Sequence, residues 1–159
     1  MLGPDGAIVK TLTNESQTVR QARAEHFRRA GFPPDGGDNQ RWVVLRVAGL
    51  PLFAFPNTAT RRRSVKLHDV HHVLTGYDTS WTGEAEIGAW EIGSGCRRHW
   101  VAWLLNLGAM AIGLLIAPRR TWRAFVRGRR SGNLYGSPSL DESLLDRSVD
   151  DLRRMVGIR

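Results

Sequence analysis

The sequence is poor in cysteine, in lysine and in long hydrophobic runs. Cys96 is the one cysteine among 159 residues, so the chain cannot form an internal disulfide, which fits a reducing cytoplasm. The longest apolar stretch runs from Val101 to Ala117 and contains Asn106. A membrane-spanning helix needs about 20 apolar residues. The stretch therefore favours a buried or membrane-facing helix over one that crosses the bilayer.

Arginine supplies almost all of the positive charge. Only Lys10 and Lys66 are lysines, yet the net charge is +8. The excess is local, because six of the arginines lie close together: Arg119, Arg120, Arg123, Arg127, Arg129 and Arg130. A basic patch next to an apolar stretch fits an anionic membrane surface at least as well as nucleic acid. We expect a membrane surface as a partner, and no nucleic acid.

The first residues of the sequence predict no targeting signal. Residues 1–6 have neither a positive start nor an apolar run, so we expect no secretory signal, and Asp5 argues against a mitochondrial transit peptide. Apolar residues make up 42% of the chain, which suffices for a folded core. The length predicts one domain over residues 1–159. In it, residues 1–60 are a lead-in and residues 61–158 a helical region.

Hydrophobic periodicity predicts a mainly α-helical fold. Two segments rich in β-branched and aromatic residues, 41–47 and 50–55, flank Ala48-Gly49 and predict a short β-hairpin near residues 41–55. Apolar stripes, capping residues and helix-ending residues predict helices over the segments 14–29, 61–74, 81–97, 99–116, 121–129 and 141–156.

A short motif in the second predicted helix carries the chemistry. In His68-Asp69-x-x-His72 the histidines lie one helical turn apart on the same face, with Asp69 beside them. Glu84 lies early in the next helix, after a connection whose glycines can turn the chain back. Two imidazoles with one or two carboxylates suit zinc or iron(II). We predict that His71 points away and that a divalent metal is bound by the candidate catalytic residues His68, Asp69, His72 and Glu84.

The residues alone leave several interpretations of this motif open. In one interpretation all four side chains bind the metal in a closed site. In another, one carboxylate does not bind the metal and leaves a coordination position for water, oxygen or substrate. Two histidines four residues apart are also often ordinary helical residues. A zinc protease would need glutamate where Asp69 stands. A phosphohydrolase with an adjacent His–Asp pair would need an earlier metal-binding histidine, and His26 is a poor candidate.

Glycine and glutamate share one face of the third predicted helix. Glu84, Gly88, Glu91 and Gly95 follow one another at intervals of about one helical turn. Glycine within a helix costs about 1 kcal/mol relative to alanine, so the two glycines indicate that a bulky group comes close to the backbone. That group is a neighbouring helix in one interpretation and a bound lipid chain in the other. In the second, Gly88, Glu91 and Gly95 bind the cofactor or lipid.

The motif resembles the metal motif of a known family, the fourth coenzyme Q (ubiquinone) biosynthesis protein. The similarity extends from about residue 61 to residue 158. It includes the segments Leu74-Thr-Gly-Tyr, Gly83-Glu-Ala, Ala89-Trp-Glu-Ile, Phe125-Val-Arg-Gly-Arg-Arg, Leu134-Tyr and Asp150-Asp-Leu-Arg-Arg-Met-Val-Gly-Ile.

This resemblance implies a mostly helical protein of the bacterial cytoplasm, held peripherally on the inner face of the cytoplasmic membrane. It implies that zinc or iron is the metal and that His68, Asp69, His72 and Glu84 are the ligands. The implied function is metal-dependent C1 decarboxylation and hydroxylation of a polyprenylated aromatic acid in ubiquinone biosynthesis. The implied partners are a prenylated quinone precursor or similar lipid and other quinone-biosynthesis enzymes. A homodimer is a further possible partner state.

An alternative within the same family is a non-catalytic scaffold. In that case the metal joins two helices, and the protein binds a prenyl lipid for a quinone-biosynthesis complex. A closed four-ligand metal site favours the scaffold, because structural metals leave no open position. An open position next to an apolar groove favours the enzyme.

Overall fold

The structure, a computed structural model, describes residues 17–36, 39–47, 50–137 and 142–158. This part of the chain is mainly α-helical, which confirms the predicted fold class. Its elements follow in the order α1 (Val19–Ala30), β1 (Trp42–Val47), β2 (Leu50–Pro56), α2 (Ala59–Thr75), α3 (Trp81–Ser94), α4 (Trp100–Ile116), α5 (Pro118–Arg129), a 3₁₀ turn (Leu134–Gly136), α6 (Glu142–Leu145) and α7 (Val149–Val156).

The two strands form an antiparallel hairpin at the predicted position. Trp42 pairs with Pro56 at its base, and the register shifts once, between Leu45 and Arg46. Such a shift bends the ribbon locally. Asn57, which follows β2, is buried and donates a hydrogen bond from its amide to the carbonyl of Gln40 at 2.9 Å. This bond ties the base of the hairpin to the start of α2.

The turn between α2 and α3 places the two halves of the predicted metal motif opposite each other. Helix α2 ends at Gly76, whose φ of 79° is left-handed and suits a residue without a side chain. Helix α3 begins after Ser80, whose hydroxyl accepts a hydrogen bond from the Gly83 amide. The chain therefore reverses within a few residues. Glu84, in the first turn of α3, faces the histidines of α2.

Helix α3 packs closely between α4 and α5. A side chain at Gly128 of α5 would collide with the backbone of Trp90, and one at Gly93 would collide with the carbonyl of Phe125. The backbones of α3 and α5 therefore touch directly. Around this contact the core is formed by fully buried side chains of several elements, among them Leu67, Val70, Leu74, Ile87, Trp90, Leu134 and Leu152.

Several predicted helix boundaries differ from the structure. Helix α2 begins two residues earlier than predicted, at Ala59, and α3 ends three residues earlier, at Ser94. Helix α1 begins at Val19 after a capping box made by Thr18 and Gln21, later than predicted, and residues 14–16 lie outside the described residues. Helix α5 begins earlier, at Pro118, because proline suits the first helical position. The predicted helix 141–156 is two helices. Ser148 interrupts it by bridging to Thr18 and by capping α7.

Helix α4 carries an exposed apolar face. Its side chains Trp100, Leu104 and Leu115 are 64%, 64% and 85% exposed. The opposite side, with Ala102 and Asn106, is buried. In the described part of the chain no helix has the length and hydropathy that a membrane crossing requires.

Candidate metal centre

Three of the four predicted ligands converge. His68 and His72 of α2 bring their Nε2 atoms to 3.1 Å from each other. The Glu84 carboxylate of α3 reaches both, with Oε2 at 3.5 Å from His68 Nε2 and Oε1 at 3.5 Å from His72 Nε2. These three side chains, which we call the ligand triad, form a group that could hold a metal ion.

The outer nitrogen of each imidazole fixes the direction of the inner one. His68 Nδ1 lies 3.0 Å from the carboxylate Oε1 of Glu91, and His72 Nδ1 lies 3.0 Å from the carbonyl oxygen of Tyr77. Both partners only accept hydrogen bonds, so Nδ1 carries the proton in each ring. In the neutral rings the two Nε2 lone pairs therefore point at each other. Such a pair is repulsive unless a cation lies between the nitrogens.

The spacing of the triad fits a divalent metal. Two atoms that each lie ~2.0–2.1 Å from one ion, at tetrahedral or octahedral angles, are about 3.0–3.4 Å apart. The two imidazole nitrogens, at 3.1 Å, match this spacing, and Glu84 is only slightly farther away. The Glu84 side chain is 41% exposed, so its carboxylate has room to move inward. The outer hydrogen bonds to Glu91 and Tyr77 are those that commonly orient metal-binding histidines.

The protonation of the triad also favours a cation at its centre. Burial by itself would raise the pKa of Glu84, but hydrogen bonds from His68 and His72 outweigh it and lower the pKa to about 2. Burial opposes a charged His68, yet the carboxylates of Glu91 and Glu84 raise its pKa well above the usual value. Without metal, a proton on His68 supplies the positive charge. A metal would replace that proton, as metal ligands must be deprotonated.

Asp69, the fourth predicted ligand, is held by an arginine of α1. Its Oδ2 accepts a hydrogen bond from Arg23 at 3.0 Å, in a largely buried ion pair. Burial raises the pKa of Asp69, and Arg23 opposes that rise. Asp69 lines the same cavity as the triad, but it is not part of the convergent group. The four-ligand set therefore stays a prediction.

Glu91 is the centre of a buried hydrogen-bond network behind the triad. Its side chain is fully buried. One oxygen accepts from His68 and from His71, whose Nδ1 lies at 2.6 Å. The other accepts from the Tyr135 hydroxyl at 2.7 Å and from the Asn106 amide. Burial by itself would raise the pKa of Glu91, but the charge and hydrogen bonds of His68 and His71 outweigh burial and lower the pKa overall. The group is therefore a carboxylate.

The three residues predicted to bind a cofactor or lipid lie outside the cavity beside the triad, each in a different environment. None of Gly88, Glu91 and Gly95 is among the residues that line the cavity beside the triad. A side chain at Gly88 would press on Ala109 and on the Asn106 carbonyl of α4, so a neighbouring helix comes close there. Gly95 ends α3 with a positive φ of 89°. Glu91 contacts His68 at Nδ1, the ring nitrogen that faces away from the centre of the triad.

His71 points away from the triad, as predicted. It is fully buried, and its Nε2 accepts a hydrogen bond from the backbone amide of Leu134 at 3.0 Å. Its Nδ1 donates to Glu91. Because the ring bridges these two partners, it connects the network behind the triad to the 3₁₀ turn after α5. Burial lowers the pKa of His71, so the ring is neutral.

A cavity of about 410 Å³ adjoins the triad, and we call it the site cavity. Its polar lining includes Arg61 and Ser64 of α2. The ring of His26, from α1, also lines it and stacks on His72 with 5.1 Å between ring centroids. Burial and the nearby His72 lower the pKa of His26 to about 4. The apolar part of the wall is formed by Phe32, Val65, Ala102, Leu105 and Ala109.

No model of a protein family matches this sequence, no curated protein matches it, and no solved structure matches its fold. The interpretation of the site therefore rests on the geometry of the triad and its cavity.

Proposed function

We propose that this protein is a metal-dependent enzyme of ubiquinone-type biosynthesis, related to the fourth coenzyme Q biosynthesis protein. Its reaction would remove the C1 carboxylate of a polyprenylated aromatic acid and place a hydroxyl on the same ring carbon. The observation that carries the proposal is the convergence of His68, His72 and Glu84 beside the site cavity.

The number of converging ligands supports an enzyme over a scaffold. Catalytic metal sites keep a position open for water or substrate, whereas structural zinc sites are closed by four protein ligands. Here three side chains converge, and Arg23 engages the fourth candidate, Asp69. A metal in the triad would therefore face the site cavity with at least one free position.

The residues around the cavity suit an aromatic acid. The metal, when bound, would act as a Lewis acid toward a ring carboxylate or phenolate, and iron would also allow chemistry with dioxygen. The Arg61 side chain lines the cavity and brings a positive charge for the substrate carboxylate. Glu91 and Tyr77 keep His68 and His72 in one orientation. The ligand side chains are thus held in place before the substrate arrives, so they need not reorient during the reaction, and this favours catalysis.

The proposed reaction balances with dioxygen and a two-electron reductant. The bond between the ring carbon and the carboxylate breaks and releases carbon dioxide, and a carbon–oxygen bond forms at that carbon. One atom of dioxygen becomes the hydroxyl. The other becomes water, with two electrons and two protons from the reductant.

The wall formed by α4 supports a substrate with a lipid tail. Ala102, Leu105 and Ala109 lie on one face of this helix and line the site cavity. Leu105 is 45% exposed, so the apolar wall continues to the surface. A ring bound near the triad would then leave its prenyl chain along α4.

The exposed face of α4 and the start of α5 support attachment to a membrane surface. Leu104 and Leu115 would enter the headgroup region, and Arg119 and Arg123, which have no ion-pair partner in the described part of the chain, would meet anionic lipids. Each basic residue near such a surface contributes ~1 kcal/mol to the free energy of membrane binding. Arg120 contributes less, because Glu86 binds it through two hydrogen bonds.

The proposal is tested with a prenylated 4-hydroxybenzoate that carries ¹³C in its carboxylate. Iron-loaded protein with dioxygen and a reductant should release labelled carbon dioxide and form the ring-hydroxylated product. The His68→Ala variant should do neither, whereas His99→Gln, which changes a histidine outside the triad, should keep the activity. Stoichiometric metal and a tightly bound prenyl lipid without turnover would favour the scaffold instead.

A further inference from the structure

A second cavity lies away from the triad, between α5 and the end of α7. It measures about 410 Å³ and shares no lining residue with the site cavity. Three arginines line it, Arg123, Arg127 and Arg130, together with an apolar wall of Trp122, Val126 and Ile158. We call it the basic groove.

Among the residues that the structure describes, the basic groove concentrates positive charge without a compensating acid. Its arginines come from one side of α5 and from the residue that follows this helix, at intervals of about one turn. None of the described residues that line the groove is acidic. Arg123 and Arg130 have no ion-pair partner among the described residues. Like charges at such spacing repel one another, and a bound anion would remove the repulsion.

One of the three guanidinium groups is held in place by the protein. Arg127 donates a hydrogen bond to the carbonyl oxygen of Thr75 at 3.0 Å, and its guanidinium lies 5.3 Å from the ring centroid of Tyr77. These contacts with the end of α2 fix the charge before any ligand binds. Close packing of Gly128 against Trp90 fixes the helix itself. The groove is therefore a built feature of the fold.

We propose that the basic groove binds a phosphate monoester. Three guanidinium groups match the two negative charges of a phosphate monoester better than the single charge of a carboxylate. Guanidinium groups also bind phosphate oxygens through paired hydrogen bonds. The apolar wall then receives the organic part of the ester. Trp122 is suited to this, because its side chain is 56% exposed and its ring already stacks on Phe125 with 5.3 Å between centroids.

The same phosphate chemistry occurs in two sources, a soluble ester and a lipid headgroup. Phenyl phosphate serves as the soluble probe, and its binding to the full chain is measured by titration calorimetry. Phosphatidylcholine vesicles that contain phosphatidic acid serve as the lipid probe, in a sedimentation assay. We expect saturable binding of one ligand per chain in at least one of the two assays, and weaker binding of benzoate than of phenyl phosphate.

Variants separate a defined groove from diffuse surface charge. Arg123→Gln and Arg130→Gln should each weaken binding by about tenfold, which is the effect of losing one charge-assisted hydrogen bond. Arg129→Gln is the matched control, since Arg129 is an exposed arginine of the same helix that does not line the groove. Its binding should stay unchanged. His68→Ala should also bind normally, because the groove is separate from the triad.

The assay in which the groove variants lose binding shows whether the phosphate belongs to a soluble ester or to a lipid headgroup. Loss of phenyl phosphate binding in Arg123→Gln and Arg130→Gln identifies a soluble ester. Loss confined to the vesicles identifies a lipid headgroup. The proposal is overturned if neither probe binds saturably, if Arg129→Gln weakens binding as much as the groove variants, or if benzoate binds as tightly as phenyl phosphate.

Discussion

Glu91 and His68 are joined by a hydrogen bond of 3.0 Å between the carboxylate Oε1 and the imidazole Nδ1. The carboxylate is fully buried and the imidazole faces the site cavity on its other side. This bond connects the core of the protein to the triad. The direction of the His68 lone pair therefore depends on a residue that does not line the site cavity.

Replacing Glu91 should weaken metal binding. Glu91→Gln cannot accept hydrogen bonds from all four of its present donors, so His68 loses its fixed orientation, and loss of such a partner lowers metal affinity by about 10- to 100-fold. Tyr135→Phe is the control, because it removes a donor to the other oxygen of Glu91 and costs about 1 kcal/mol of stability. Competition with a chromogenic chelator measures the affinity, and urea unfolding of the metal-free protein measures stability. Equal zinc affinity in Glu91→Gln and Tyr135→Phe would contradict the role of Glu91.

Arg23 should compete with the metal for Asp69. In Arg23→Gln the Asp69 carboxylate loses its partner at 3.0 Å and becomes available to an ion in the triad. We expect tighter zinc binding in this variant, and we expect the gain to disappear in the double variant Arg23→Gln/Asp69→Asn. Calorimetric zinc titrations of the wild type, both single variants and the double variant give the coupling between the two residues. If the gain persists without the Asp69 carboxylate, Asp69 is not a ligand.

His26 should make the metal-free protein sensitive to mild acid. Burial and His72 lower its pKa from 6.5 to about 4 in the folded state. Between these values the unfolded chain binds a proton that the folded chain does not, so stability is complete above pH 6.5 and falls as the pH drops toward 4. His26→Asn removes this contribution. Urea midpoints measured from pH 7 to pH 4 should fall less steeply for the variant, and parallel slopes would show that His26 is not buried against His72.

The fold and the core of the site follow from local signals in the sequence. Two segments rich in β-branched and aromatic residues predict the hairpin, and Gly76 with Ser80 marks the turn that brings Glu84 opposite His68 and His72. These signals lie within a few residues of the structure they specify. The interpretation of Gly88 needed the packing partner as well, since only the fold shows that α4 lies against it.

The remaining features of the site depend on contacts between distant parts of the chain. Arg23 and His26 precede the motif by more than forty residues, and nothing local indicates that α1 packs on α2. Glu91 shares a helical face with Glu84, but its partner His71 was expected only to point away. The break at Ser148 likewise comes from its bridge to Thr18. Periodicity cannot find such pairs, because it describes one element at a time.

The convergence of the triad is tested most directly by X-ray absorption spectroscopy of the zinc-loaded protein, combined with metal analysis. We predict one zinc ion per chain with two imidazole nitrogens at ~2.0–2.1 Å and at least one oxygen ligand. His68→Ala, His72→Ala and Glu84→Gln should each lose this signature, whereas His99→Gln should keep it. A wild-type protein that binds no zinc, or whose zinc spectrum shows no imidazole and survives in His68→Ala, would contradict the metal centre.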